Sequence, residues 1–93
     1  MNNEQDNDKK AMVPDFSLFI SSLSMQALIL LGEIDSPFTH KKEINLDQAK
    51  YVIDTIAMLK DKTQSSLTKE EISFMDNILY ELRMKYTAKS GKL

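Results

Sequence analysis

The chain has no cysteine and no tryptophan, and only one histidine, two glycines and two prolines in 93 residues. Without cysteine there is no disulfide framework, no thiolate zinc site and no cysteine nucleophile. A lone histidine, His40, removes almost every remaining transition-metal constellation. Two glycines, Gly32 and Gly91, cannot form a glycine-rich phosphate loop. An excess of one charge is missing too. Twelve basic against fourteen acidic residues leave a formal charge of −2, which gives no bulk attraction to nucleic acid.

Targeting signals are equally sparse. The start, Asn2-Asn3-Glu4-Gln5-Asp6, is polar and acidic, where a secretory signal would be basic and then apolar. The longest uncharged stretch, Phe16 to Gly32, covers seventeen residues. Spanning a bilayer takes roughly 20, and this stretch also carries Ser17, Ser21, Ser22, Ser24 and Gln26. The expectation is a soluble, cytoplasmic protein without a membrane span.

What is present suits one small domain. Apolar residues make up 42% of the chain, near the globular norm. Residues 1–14 are polar and aperiodic and read as a disordered tail. Residues 87–93 lack a period and read as a frayed end, leaving a domain over 15–86. Within it the punctuation predicts three helices, over about 15–32, 45–63 and 68–86, in an all-α bundle. Asp15 can cap the first helix and Gly32 can end it. Ser36-Pro37 marks a turn in the twelve-residue connection Glu33 to Ile44, with a short extended piece near Phe38 to Ile44. Asn45 with Gln48 resembles a capping box. Thr68 with Glu71 is a clearer one, with Leu67 and Ile72 placed for a hydrophobic staple.

Helical projection separates the faces. The third helix aligns Ile72, Met75, Ile78, Leu79, Leu82 and Tyr86. The second aligns Leu46, Ala49, Val52, Ile53, Ile56 and Leu59. Tyr51 and Met58 fall on another side of the second helix, as do Tyr80 and Met84 of the third. The first helix differs. Phe16, Phe19, Ile20, Leu23, Ala27, Leu30 and Leu31 form one broad stripe, while Leu18, Met25 and Ile29 form a second. A helix apolar on two sides must be covered on two sides. Size points the same way, because a core built from fewer than roughly 70–80 residues seldom stabilises more than about 3–5 kcal/mol alone. The expectation is a homo-oligomer formed through Leu18, Met25 and Ile29. The plainer alternative is a monomer whose first helix is buried by a curled connection.

Candidates for chemistry are few. Glu33, Asp35, His40 and Glu43 crowd the connection and could be drawn as a metal or acid–base cluster. A solvated polar loop explains them as well, and Lys41 and Lys42 beside His40 oppose a cation. Asp54 and Arg83 lie nearest the apolar stripes, where the guanidinium could bind an anion. An ion pair fixing how helices meet is the simpler account. Lysines from Lys41 to Lys69 alternate with acids, as on a solvated face. Lys85, Lys89 and Lys92 have no aromatic platform for nucleic acid. No serine has a base placed by a motif. The six methionines sit mostly at core spacing. No catalytic, metal or cofactor site is expected.

The order of several short motifs is nonetheless distinctive. Asp15-Phe16, Ser22-Leu23, Ala27-Leu28, Leu31-Gly32-Glu33-Ile34, Asn45-Leu46, Ala49, Ile53-Asp54, Lys62-Thr63, Leu67-Thr68, Glu70-Glu71 and Leu79-Tyr80-Glu81-Leu82-Arg83-Met84 together resemble the bacterial domain-of-unknown-function family 1844. The resemblance covers about Asp15 to Tyr86. It departs from the family pattern at Ser65-Ser66, where the family carries glycine-asparagine. It implies a small cytoplasmic bacterial protein and brings no reaction, cofactor or catalytic residue. The functional expectation is a non-catalytic structural or protein-interaction module that self-associates through its first helix. The alternative is a module that binds a small apolar ligand or a membrane surface through the same helix.

Overall fold

The computed structural model describes residues 14–91. Among them are three α-helices and no strand: α1, Phe16–Leu30; α2, Leu46–Thr63; and α3, Lys69–Ser90. A single turn of 3-10 helix, Gln64–Ser66, joins α2 to α3. The tail expected over 1–14 lies, except for Pro14, outside the described residues. Of the extended piece expected near Phe38 to Ile44, Phe38 to Lys41 form turns and bends, while Lys42 to Ile44 have no regular structure and lead into extended Asn45.

Each helix begins where a side chain can accept one of the free amides of its first turn. The Asp15 carboxylate accepts from the Ser17 N–H at 2.9 Å. The Asn45 amide oxygen accepts from the Gln48 N–H at 3.1 Å. At Thr68 the box is reciprocal: the hydroxyl accepts from the Glu71 N–H at 3.1 Å, and the Thr68 N–H donates to the Glu71 carboxylate at 2.9 Å.

The ends are equally explicit. The Gly32 N–H donates to the Ile29 carbonyl and the Glu33 N–H to the Leu28 carbonyl, with Gly32 at φ 77. These two bonds and the left-handed glycine make a Schellman motif. Helix α3 runs one turn past Tyr86, where its apolar periodicity ends. The frayed end expected from 87 onward is therefore helical as far as Ser90, and Gly91 stops it at φ 72. Alanine and lysine continue a helix readily, and Lys89 in the last turn complements the helix dipole.

The core is small and three-sided. Ile20, Ala27 and Leu31 at the α1 side, Ala49, Val52, Ile53 and Ile56 from α2, and Met75, Leu79 and Leu82 from α3 are buried. Helix α2 packs most extensively on α1, then on α3, while α1 and α3 meet less. The fully buried Ala27 and Ala49 let α1 and α2 approach closely. Leu46, Leu59, Ile78 and Tyr86 are half-buried around this centre, and Ile72 is half-buried without packing on it. Phe19 departs from its expected place: it is 51% exposed, because it stands at the margin of the α1 stripe where neither partner helix reaches it.

An ion pair between Lys60 and Asp76 ties α2 to α3. Glu33, just beyond α1, lies 3.7 Å from the Lys85 ammonium and 3.5 Å from that of Lys89. Contacts of this exposure each contribute about 0–1 kcal/mol, so they orient the helices more than they hold them.

Two substitutions test this account. A Cβ at Gly32 would lie 2.7 Å from Ile44 Cγ1 as well as in a left-handed conformation, whereas one at Gly91 would meet nothing within 4 Å. Left-handed backbone alone costs about 1–2 kcal/mol. Gly32→Ala should therefore lower stability in urea unfolding by more than Gly91→Ala does, and equal losses would refute the crowding by Ile44. Thr68→Ala removes one half of the capping box and should lower stability by about 1 kcal/mol in the same measurement.

Candidate functional site

The outward face of α1 follows from the inward one. Ile20, Ala27 and Leu31 are completely buried, and the residues on the other side of the wheel are Leu18, Ser21, Ser22, Met25 and Ile29. Leu18 is 64% exposed and Met25 49%. Ile29 is only half-exposed, because the connection to α2 curls back against that end of the helix. No charged residue interrupts the face. The Ser22 hydroxyl donates to the Leu18 carbonyl at 3.1 Å, so its hydrogen bond is already made within the helix.

The returning connection enlarges this surface. Ser36, buried at 7% exposure, organises it. Its N–H donates to the Lys41 carbonyl, its carbonyl accepts from the His40 N–H, and its hydroxyl accepts from the Phe38 N–H. His40 takes a positive φ of 60 to close the turn, a conformation in which histidine is enriched among non-glycine residues. At the far end the Asn45 N–H donates to the Leu30 carbonyl at 2.8 Å, and Ile44 folds over Gly32. Phe38 is left 91% exposed and Ile44 57%. With Gln26, Ile29, Leu30, Pro37 and Gln48 they line an open groove of about 620 Å³.

Helical projection could not find Phe38 and Ile44, because it reads only periodic segments. The available signal was compositional: Phe38 and Ile44 are, with Ile34, large apolar residues in a connection that is otherwise mostly polar.

The polar candidates do not converge. Glu33 faces Lys85 and Lys89. His40 is exposed at its turn. No three histidine, aspartate or glutamate groups among the described residues come together to hold a metal ion. Asp54 pairs with Lys50 at 2.8 Å, and that hydrogen-bonded carboxylate raises the Lys50 pKa. Asp54 and Arg83 do line one shallow groove of about 260 Å³, with Tyr86 between α2 and α3, but form no ion pair there. Arg83 also borders the neighbouring groove beside Asp76 and Tyr80, and Asp76 is engaged by Lys60.

Two further exposed apolar groups, Tyr51 with Met58 on α2 and Tyr80 with Met84 on α3, lie away from the core. The first stands among Asp47, Asp54, Asp61 and Lys62, as on a solvated face. The second borders Lys60, Asp76 and Arg83.

No helix among the described residues is long and apolar enough to cross a membrane. No curated protein and no solved structure matches the chain. One family model does match, over residues 13–88, described as a domain of unknown function (DUF1844). That span takes in all of α1 and α2 and nearly all of α3, and the chain belongs to the DUF1844 family.

Proposed function

We propose that the chain is a non-catalytic, cytoplasmic structural or interaction module that self-associates through the outer face of α1, with Leu18, Met25 and Ile29 at the contact. The observation that carries the reading is the uncharged α1, buried along one side and exposed along the other. Apolar surface placed opposite the core adds nothing to the stability of a single copy and favours association. The polar groups support a structural role, since Glu33, Asp54 and Asp76 are each engaged with lysines. A second reading, binding of a small apolar ligand or a membrane surface through the same helix, is favoured by the open groove beside Ile29.

Light scattering on a size-exclusion column, over a range of protein concentrations and without detergent, separates them. The wild-type chain should run as a multimer. Leu18→Ser combined with Met25→Ser should shift it towards monomer, raising the dissociation constant at least tenfold, with helicity unchanged because both side chains are exposed in one copy. An unaltered mass for the double variant would count against the α1 contact. A wild-type monomer carrying a bound apolar molecule in native mass spectrometry would favour the second reading.

A further inference from the structure

We propose that the groove at the C-terminal end of α1 receives Phe38 of a second copy, so that a two-fold dimer is anchored by two reciprocal Phe38 insertions beside the α1 contact. This rests on the self-association reading above and adds its anchor and its geometry.

Area is the first argument. At 1.5 Å per residue the fifteen residues of α1 span about 22 Å, and a helix is about 10 Å wide, giving a footprint of roughly 220 Å². A specific interface buries about 800 Å² on each partner. The α1 face alone falls well short of that, so the contact must run on to adjoining apolar surface. Ile29, Pro37, Phe38 and Ile44 continue it.

Preorganisation is the second. Phe38 projects into solvent while its N–H donates to the Ser36 hydroxyl, in a turn that Ser36 also closes through His40 and Lys41. An aromatic ring on a fixed backbone loses little freedom on docking, which is the property of interface anchors. Phe38 also stands on the rim of the groove itself, so knob and hole lie side by side. A two-fold axis passing between them then satisfies both copies at once, since residue i meets residue j and j meets i.

Charge selects the occupant. Two copies of α1 meet without like-charge repulsion. Glu43 is the charged residue lining the groove, and the turn that carries Phe38 also carries Lys41 and Lys42, so the entering segment complements the rim it meets. Helix α1, being uncharged, lacks the basic face by which an interfacial helix binds an anionic lipid surface.

The test uses the full chain. Phe38→Ser, at a site open to solvent in one copy, should raise the dissociation constant by about 30-fold or more, as loss of a hot-spot anchor does, with helicity unchanged. Phe38→Leu should retain most of the affinity. Because the chain has no cysteine, single-cysteine variants report contacts directly. Thr39→Cys mixed with Gln26→Cys under mild oxidation should give a crossed disulfide dimer in greater yield than Thr39→Cys mixed with Tyr51→Cys. A wild-type multimer unaffected by Phe38→Ser, or equal yields in the two mixtures, overturns the Phe38 anchor and leaves self-association through α1 standing. A wild-type monomer at every concentration overturns both. A monomer that co-sediments with phosphatidylglycerol vesicles, but not once Phe38 is replaced by serine, assigns the ring to lipid and overturns the anchor too.

Discussion

Everything in this molecule is arranged around a helix that carries no charge. Helix α1 gives its Ile20–Ala27 side to the core, and α2 and α3 together are wide enough to cover that side only. A charged outer face would have made the three helices self-sufficient. With Leu18 and Met25 there instead, the fold leaves apolar area facing outward where water gains nothing from it. The small core sharpens the constraint, because the ten buried apolar side chains among the described residues sit on a domain with no disulfide to supplement them.

The connection between α1 and α2 answers part of this constraint and adds to it. It half-covers Ile29 and seals Gly32 with Ile44, yet it also sets Phe38 almost wholly in solvent. A turn formed only to join two helices would not need a buried serine accepting and donating three hydrogen bonds to hold one aromatic residue outward. The polar residues of the same connection are used differently: Glu33 reaches across to α3, while His40 supplies a backbone conformation.

The fold was legible in the sequence wherever the physics is local. Asp15, Asn45 and Thr68 start helices because their side chains accept amides two or three residues ahead, and Gly32 ends one because it alone takes the left-handed conformation cheaply there. The two faces of α1 could be read from spacing, and the family showed as a resemblance carried by the order of its motifs. What could not be read depends on distant residues. Phe19 has core spacing but no neighbour to cover it. Asp54 finds Lys50 one turn away before Arg83 on another helix. The last turn of α3 survives without apolar periodicity, with Lys85 and Lys89 facing Glu33 from a different part of the chain. Ser36, which shapes the most exposed surface, looks in the sequence like any serine before a proline.

The hydrogen bond from Asn45 back to Leu30 has one more consequence. It brings the chain back, after a fourteen-residue excursion, to the place from which it left, so the two helices are fastened to each other independently of what lies between. The excursion is thus a closed side branch. Lengthening a closed flexible loop costs only about 0.6 kcal/mol for each doubling, so the length of the branch burdens the bundle little, whereas any change between Pro37 and His40 must keep the bonds that tie Ser36 to Phe38, His40 and Lys41.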